Sequence, residues 1–159
     1  MSTTLVLAPV STGQAASLCR DGRLQGCQAF TVNAQLLDTL DLSAADDEGA
    51  EYACMVLASV WGLATHGERL VLAAEVPAAQ VAAGDEAHNG GVQLRELSLR
   101  QVQSVFADER EQPEAAAAVQ GMSLDQAWET AAVQRLVREG DLLWHGAEEL
   151  PQLAARQEV

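Results

Sequence analysis

The chain has 159 residues, formal net charge −14 and a sequence pI near 4.3, and its nine basic residues are all arginines. Without lysine it has no amine for Schiff-base chemistry or for a P-loop. A surface this acidic repels phosphate backbones and anionic lipid, so neither nucleic acid nor a membrane is an expected partner.

The first apolar run, residues 4–8, stops at Pro9, as a strand buried on both faces would. Ser11, Thr12 and Gly13 then offer N-cap residues for a short helix through Leu18 and Cys19, closed near Asp21 and Gly22. Residues 27–32 read as a second strand and residues 33–40 as a short helix. The acidic stretch 46–51 opens a helix over about 47–65, apolar on nearly every face, which is the pattern of a buried central helix. His66 and Gly67 close it: the imidazole suits the negative end of the helix and the glycine a left-handed cap.

Residues 69–77 predict another buried strand, ended by Pro77. The Ala-, Gly- and Asp-rich stretch 82–91 follows as a mobile loop carrying a solvated His88. Residues 92–97 and 102–107 read as neighbouring strands of a hairpin turning near 98–101. Pro113 opens an alanine-rich helical turn that Gly121 closes. Ser123 and Gln126 match a capping box, and Leu124, Trp128, Ala131, Ala132, Leu136 and Val137 form one apolar face of a helix ending at Gly140. A short strand, 141–145, and a final helix carrying Leu150 and Leu153 complete the chain, with Trp144 expected in the core and the last few residues frayed.

The alternation of strands and helices predicts an α+β fold: one domain, a mixed sheet, and helices packed on it. Three cysteines without a CxxC pair fit reduced thiols and a cytoplasmic location.

Chemistry is sparse. His145 with Glu148 and Glu149 would share one helical face, a spacing compatible with metal ligation. Gly146 and Pro151 argue against that helix, since proline clashes with the carbonyl four residues before it. The helix should begin near Ala147 or later, with the glutamates as first-turn acids, and no metal and no cofactor are expected. Cys54 lies in the most apolar helix, where a thiol is inert packing.

The segments at 5–24 and 29–36, 48–59, 69–77 and 142–153 together resemble a family of small acidic proteins from high-GC Gram-positive (actinobacterial) bacteria, defined only as a domain of unknown function. The resemblance implies one domain and carries no activity. Where that family has tyrosine after the closing tryptophan, this chain has His145.

The reading that follows is a non-catalytic accessory protein that binds a protein partner or a second copy of itself. An alternative is a small nucleotide-binding transferase, since strand, helix, glycine and an Ala-Phe-Thr-Val strand are similar to the opening of ADP-ribosyltransferase-like enzymes. Its cleft candidates are Ser11, Thr12, Arg20, Arg23, His145 and Glu149, although the first strand lacks the arginine or histidine those enzymes use. Mimicry of nucleic acid by the acidic surface ranks last, because the carboxylates are scattered along the chain.

Overall fold

In the computed structural model, which describes residues 2–156, the chain opens with β1 (Thr3–Pro9), α1 (Thr12–Asp21), β2 (Arg23–Phe30), α2 (Ala34–Leu40) and α3 (Asp47–His66). It continues through β3 (Leu70–Pro77), β4 (Val81–Ala83), β5 (Gly91–Ser98), β6 (Val102–Ala107) and α4 (Pro113–Val119). It closes with α5 (Leu124–Trp128), α6 (Ala131–Glu139), β7 (Leu143–Gly146) and α7 (Leu150–Ala154). The expected fraying of the last few residues lies outside the described residues.

The α+β class holds. The strands form one sheet in the order β4-β5-β2-β1-β3-β6-β7, and every pairing is antiparallel, so the sheet is not the mixed one expected from the sequence. Both faces are covered. Val6, Ala8, Leu72 and Leu94 face one core, closed by Leu18 of α1 and by Leu150 and Leu153 of α7. Leu7, Phe30 and Val71 face the other, against α3 and the helices around it. This two-sided burial is why β1 and β3 read as continuous apolar runs.

Residues 92–97 and 102–107 do form strands, but not a hairpin. β2, β1 and β3 lie between β5 and β6, although only a 3-10 turn, Leu99–Gln101, connects them. Four strand spacings of about 4.8 Å amount to ~19 Å, whereas the four peptide steps from Ser98 to Val102 reach ~14 Å at most. The sheet therefore curls, and Leu97, Leu99 and Val102 meet on its concave side with the α1 and α7 core.

Local signals set most element ends. Ser11 and Gln14 form the capping box of α1, and Gly22 closes it in the left-handed region. Gly67 does the same for α3, with His66 in its last turn. The Ser123–Gln126 box opens α5 as expected, but the predicted single helix to Gly140 is two. Thr130 starts a new helix by accepting from the Val133 N–H, and its hydroxyl donates to the Ala127 carbonyl.

The stretch 82–91 is more structured than a mobile loop. It takes in the last two residues of β4 and a 3-10 turn, Ala87–Asn89, and it doubles back so closely that a Cβ on Gly91 would lie 1.8 Å from the Asp85 carbonyl oxygen. The Gln28 amide donates to that same oxygen at 2.7 Å, and the Thr31 N–H to Gly90 at 2.9 Å.

Candidate functional site

β7 is one border of the sheet, so among the described residues its outer backbone edge has no neighbouring strand. Its register sets Leu143 opposite Ala107, Trp144 opposite Phe106 and His145 opposite Val105. Alternation then turns Leu143 and His145 toward the concave side with Val105 and Ala107, and Trp144 toward the α3 side with Phe106. Trp144 is not in the core: it is 65% exposed, and Leu143 is 45% exposed. The expected packing fails because β7 lies at the sheet border, where Phe106 is its cross-strand neighbour and, among the described residues, no further strand stands beyond it.

The approach to this edge is fixed from below. Arg69, just before β3, has a side chain only 3% exposed, and Asp108, just after β6, one 13% exposed. The guanidinium grips the carboxylate in a forked arrangement, Nε donating to Oδ2 at 2.9 Å and Nη2 to Oδ1, while Nη2 also donates to the Gly140 carbonyl at 3.1 Å. One cation thus ties β3, β6 and the turn leading into β7. Arg156 adds bonds to the carbonyls of Asp108 and Glu109.

His145 and Glu149 meet, although not through a helix. Gly146 is extended, a 3-10 turn spans Ala147–Glu149, and Pro151 falls in the first turn of α7, so His145 stays outside the helix as the sequence required. The Glu149 carboxylate folds back, Oε2 accepting the Gly146 N–H at 2.9 Å and Oε1 lying 3.5 Å from His145 Nδ1. His145 Nε2 is buried and has no hydrogen-bond partner among the described residues. The pair therefore resembles a base with its orienting acid but lacks a nucleophile bonded to the ring.

The other four candidates do not converge on it. Ser11 is occupied as the cap of α1. Arg20 bonds Asp21 and Ser17 on the surface, and Arg23 lies 3.8 Å from Glu96. Thr12 lines a cavity of about 590 Å³, together with Arg69, Arg110 and Arg156 and the acids Asp108, Glu109 and Glu111. The three cysteines are unbridged, and burial pushes the thiols of Cys27 and Cys54 up to about 11 and about 12, the latter with help from Glu51. Such thiols carry little nucleophilic thiolate near neutral pH.

A grouping invisible to the sequence reading joins the 82–91 stretch to α5. Glu86, His88 and Asp125 bring ligand-type atoms within 4.8 Å of one another. Among them lies the Asn89 amide nitrogen, 3.0 Å from Asp125 Oδ1, 3.3 Å from Glu86 Oε1 and 3.1 Å from His88 Nε2. The spot a cation would take thus holds an amide, which donates to both carboxylates, and His88 Nε2 lies 2.7 Å from Asp125 Oδ2. Glu86 also accepts the Leu124 N–H at 3.1 Å, so the cluster fastens the loop to α5. Asp125, which falls inside the Ser123–Gln126 capping box without taking part in it, gave no sign of a partner 36 residues away.

Among the described residues no helix is long and apolar enough to cross a membrane. No curated protein and no solved structure matches the chain. A family model described as a family of unknown function (DUF6912) matches residues 4–154, nearly the whole sequence around both cores and the β7 edge. The chain belongs to that family.

Proposed function

We propose that this is a non-catalytic, cytosolic interaction protein whose β7 edge receives an extended segment of a protein partner. The observation that carries the reading is the exposed Leu143–Trp144 pair on an open sheet edge. An unpaired edge offers N–H and C=O groups for strand addition, and alternate side chains give the added strand specificity. Tryptophan is also among the residues that most often anchor protein interfaces. The net charge of −14 favours a basic partner over a second acidic copy. Free, partly or fully buried cysteines suit a reducing compartment, and the same charge speaks against nucleic acid. The high-GC Gram-positive range implied by the sequence resemblance is part of the same proposal.

A photo-crosslinking amino acid placed at position 144, with position 122 as an exposed control away from β7, tests it in lysate of the source cell. Crosslinks specific to position 144 identify the partner, and the Trp144→Ala change should then weaken binding of the purified partner at least about tenfold, the effect of losing a modest hot spot. A crosslink at twice the chain mass would replace the hetero-partner with a homodimer. Equal labelling from both positions, or none, defeats the edge reading.

The alternative of a nucleotide-binding transferase draws on Thr12 and the arginines around the 590 Å³ cavity. It requires thermal stabilisation by a nucleotide, about 2.7 kcal/mol at 100 times Kd. No shift with nucleotides at millimolar concentration removes it.

A further inference from the structure

A second cleft, lined by no residue of β7, opens between helices on the α3 side of the sheet. Its volume is about 380 Å³, within the usual range for small-molecule sites. Leu40 of α2, Leu57 of α3, Leu124 and Trp128 of α5, and Val137 of α6 supply apolar walls. The charge on it has one sign: Asp125 and Glu129 line it, and none of the arginines does. Both acids are exposed, whereas Leu57 and Leu124 are buried, so the carboxylates stand at the rim and the hydrocarbon lies inside.

The rim is also preorganised. Asp125 is held by the buried Asn89 amide at 3.0 Å and by the His88 ring at 2.7 Å. Each carboxylate oxygen retains a further lone pair for a ligand. These hydrogen bonds, the one from Asn89 foremost, keep the Asp125 carboxyl below its ordinary range and therefore anionic. Tyr52, which also lines the cleft, is tied by its hydroxyl to Asp141 at 3.2 Å.

We infer that this cleft binds a small organic cation, its apolar body between Leu57, Leu124 and Trp128 and its ammonium group against Asp125 and Glu129. An apolar hollow with acids at its mouth matches an amphipathic amine and repels a carboxylate of the same shape. The Trp128 ring adds an attraction for the cation that a neutral head would not feel. The inference is independent of the β7 edge, none of whose residues line this cleft.

Three probes with one shared body separate charge from shape: phenylbutylamine, phenylbutanol and phenylbutyrate, titrated into the full chain by calorimetry. The amine should bind at least about tenfold more tightly than the carboxylate, a modest reward for a rim-exposed charge pair, with the alcohol between them. Changing both Asp125→Asn and Glu129→Gln should bring the amine to the alcohol's affinity and leave the alcohol unchanged. Ala53→Phe, which fills the cleft from α3, should abolish binding of all three. The unaltered protein already decides the matter: no heat with the amine at millimolar concentration, or a carboxylate that binds as tightly, overturns the assignment. So does an amine affinity that survives the Ala53→Phe change in a folded variant.

Discussion

Replacing Arg69 with methionine removes a buried guanidinium and leaves the Asp108 carboxylate, only 13% exposed, without its counter-charge. Three hydrogen bonds vanish together, two to Asp108 and one to the Gly140 carbonyl. Breaking a buried pair from one side costs about 3–5 kcal/mol, because the abandoned charge stays desolvated. The value here should fall near the lower end, about 3 kcal/mol, since Asp108 can turn partly toward water. For a chain of this size that lowers Tm by roughly 6–12 °C. The Arg69→Met, Asp108→Leu double variant leaves no unpaired charge and should recover much of the loss, ending about 1–2 kcal/mol below the parent. Urea unfolding at constant m-value measures both, and hydrogen exchange should show the amides of residues 141–146 opening faster in the single variant, because Gly140 is released. A single-variant loss under about 1 kcal/mol, or a double variant as damaged as the sum of its singles, would refute the argument that this pair pins the β7 edge.

Trp144→Ala should change unfolding free energy by no more than about 0.5 kcal/mol, since the ring is largely in water; a loss above about 2 kcal/mol by urea denaturation would mean that it packs after all. Gly91→Ala should destabilise by at least about 2 kcal/mol, because its Cβ would meet the Asp85 carbonyl at 1.8 Å, and a near-neutral variant in the same assay would contradict the close turn. In the native protein Cys27 and Cys54 should react with a thiol reagent at pH 8 far more slowly than in denaturant; labelling of Cys54 by mass spectrometry at the unfolded rate would be inconsistent with its burial. Burial holds the His66 imidazole below its ordinary 6.5, against a backbone hydrogen bond to Pro9 that pulls it upward. The unfolded chain therefore binds this proton first, so the associated stability is whole above 6.5 and is lost as pH falls through the folded value. The urea midpoint should drop between pH 7.5 and pH 5.5 by more in the parent than in His66→Asn, and equal drops would exclude His66 as the source.

The sequence determined the elements wherever their causes lie within a few residues. An apolar run stopped by proline made β1 and β3 legible, the Ser11–Gln14 and Ser123–Gln126 capping boxes marked α1 and α5, and Gly67 closed α3. Gly146 and Pro151 were enough to keep His145 out of a helix, because both act through local backbone sterics. The Thr130 cap is equally local, but the apolar stripe running through it hid the break. What tertiary structure alone decided involves residues far apart in the chain. Strand order placed β6 beside β3 instead of β5, and so put β7 at a border with Trp144 in water. Arg69 found Asp108 across 39 residues, and Asn89 found Asp125 across 36. Neither partner's identity is encoded in its neighbours, because a buried charge or amide is satisfied by whatever the packed sheet and helices bring to it, and that depends on the whole fold at once.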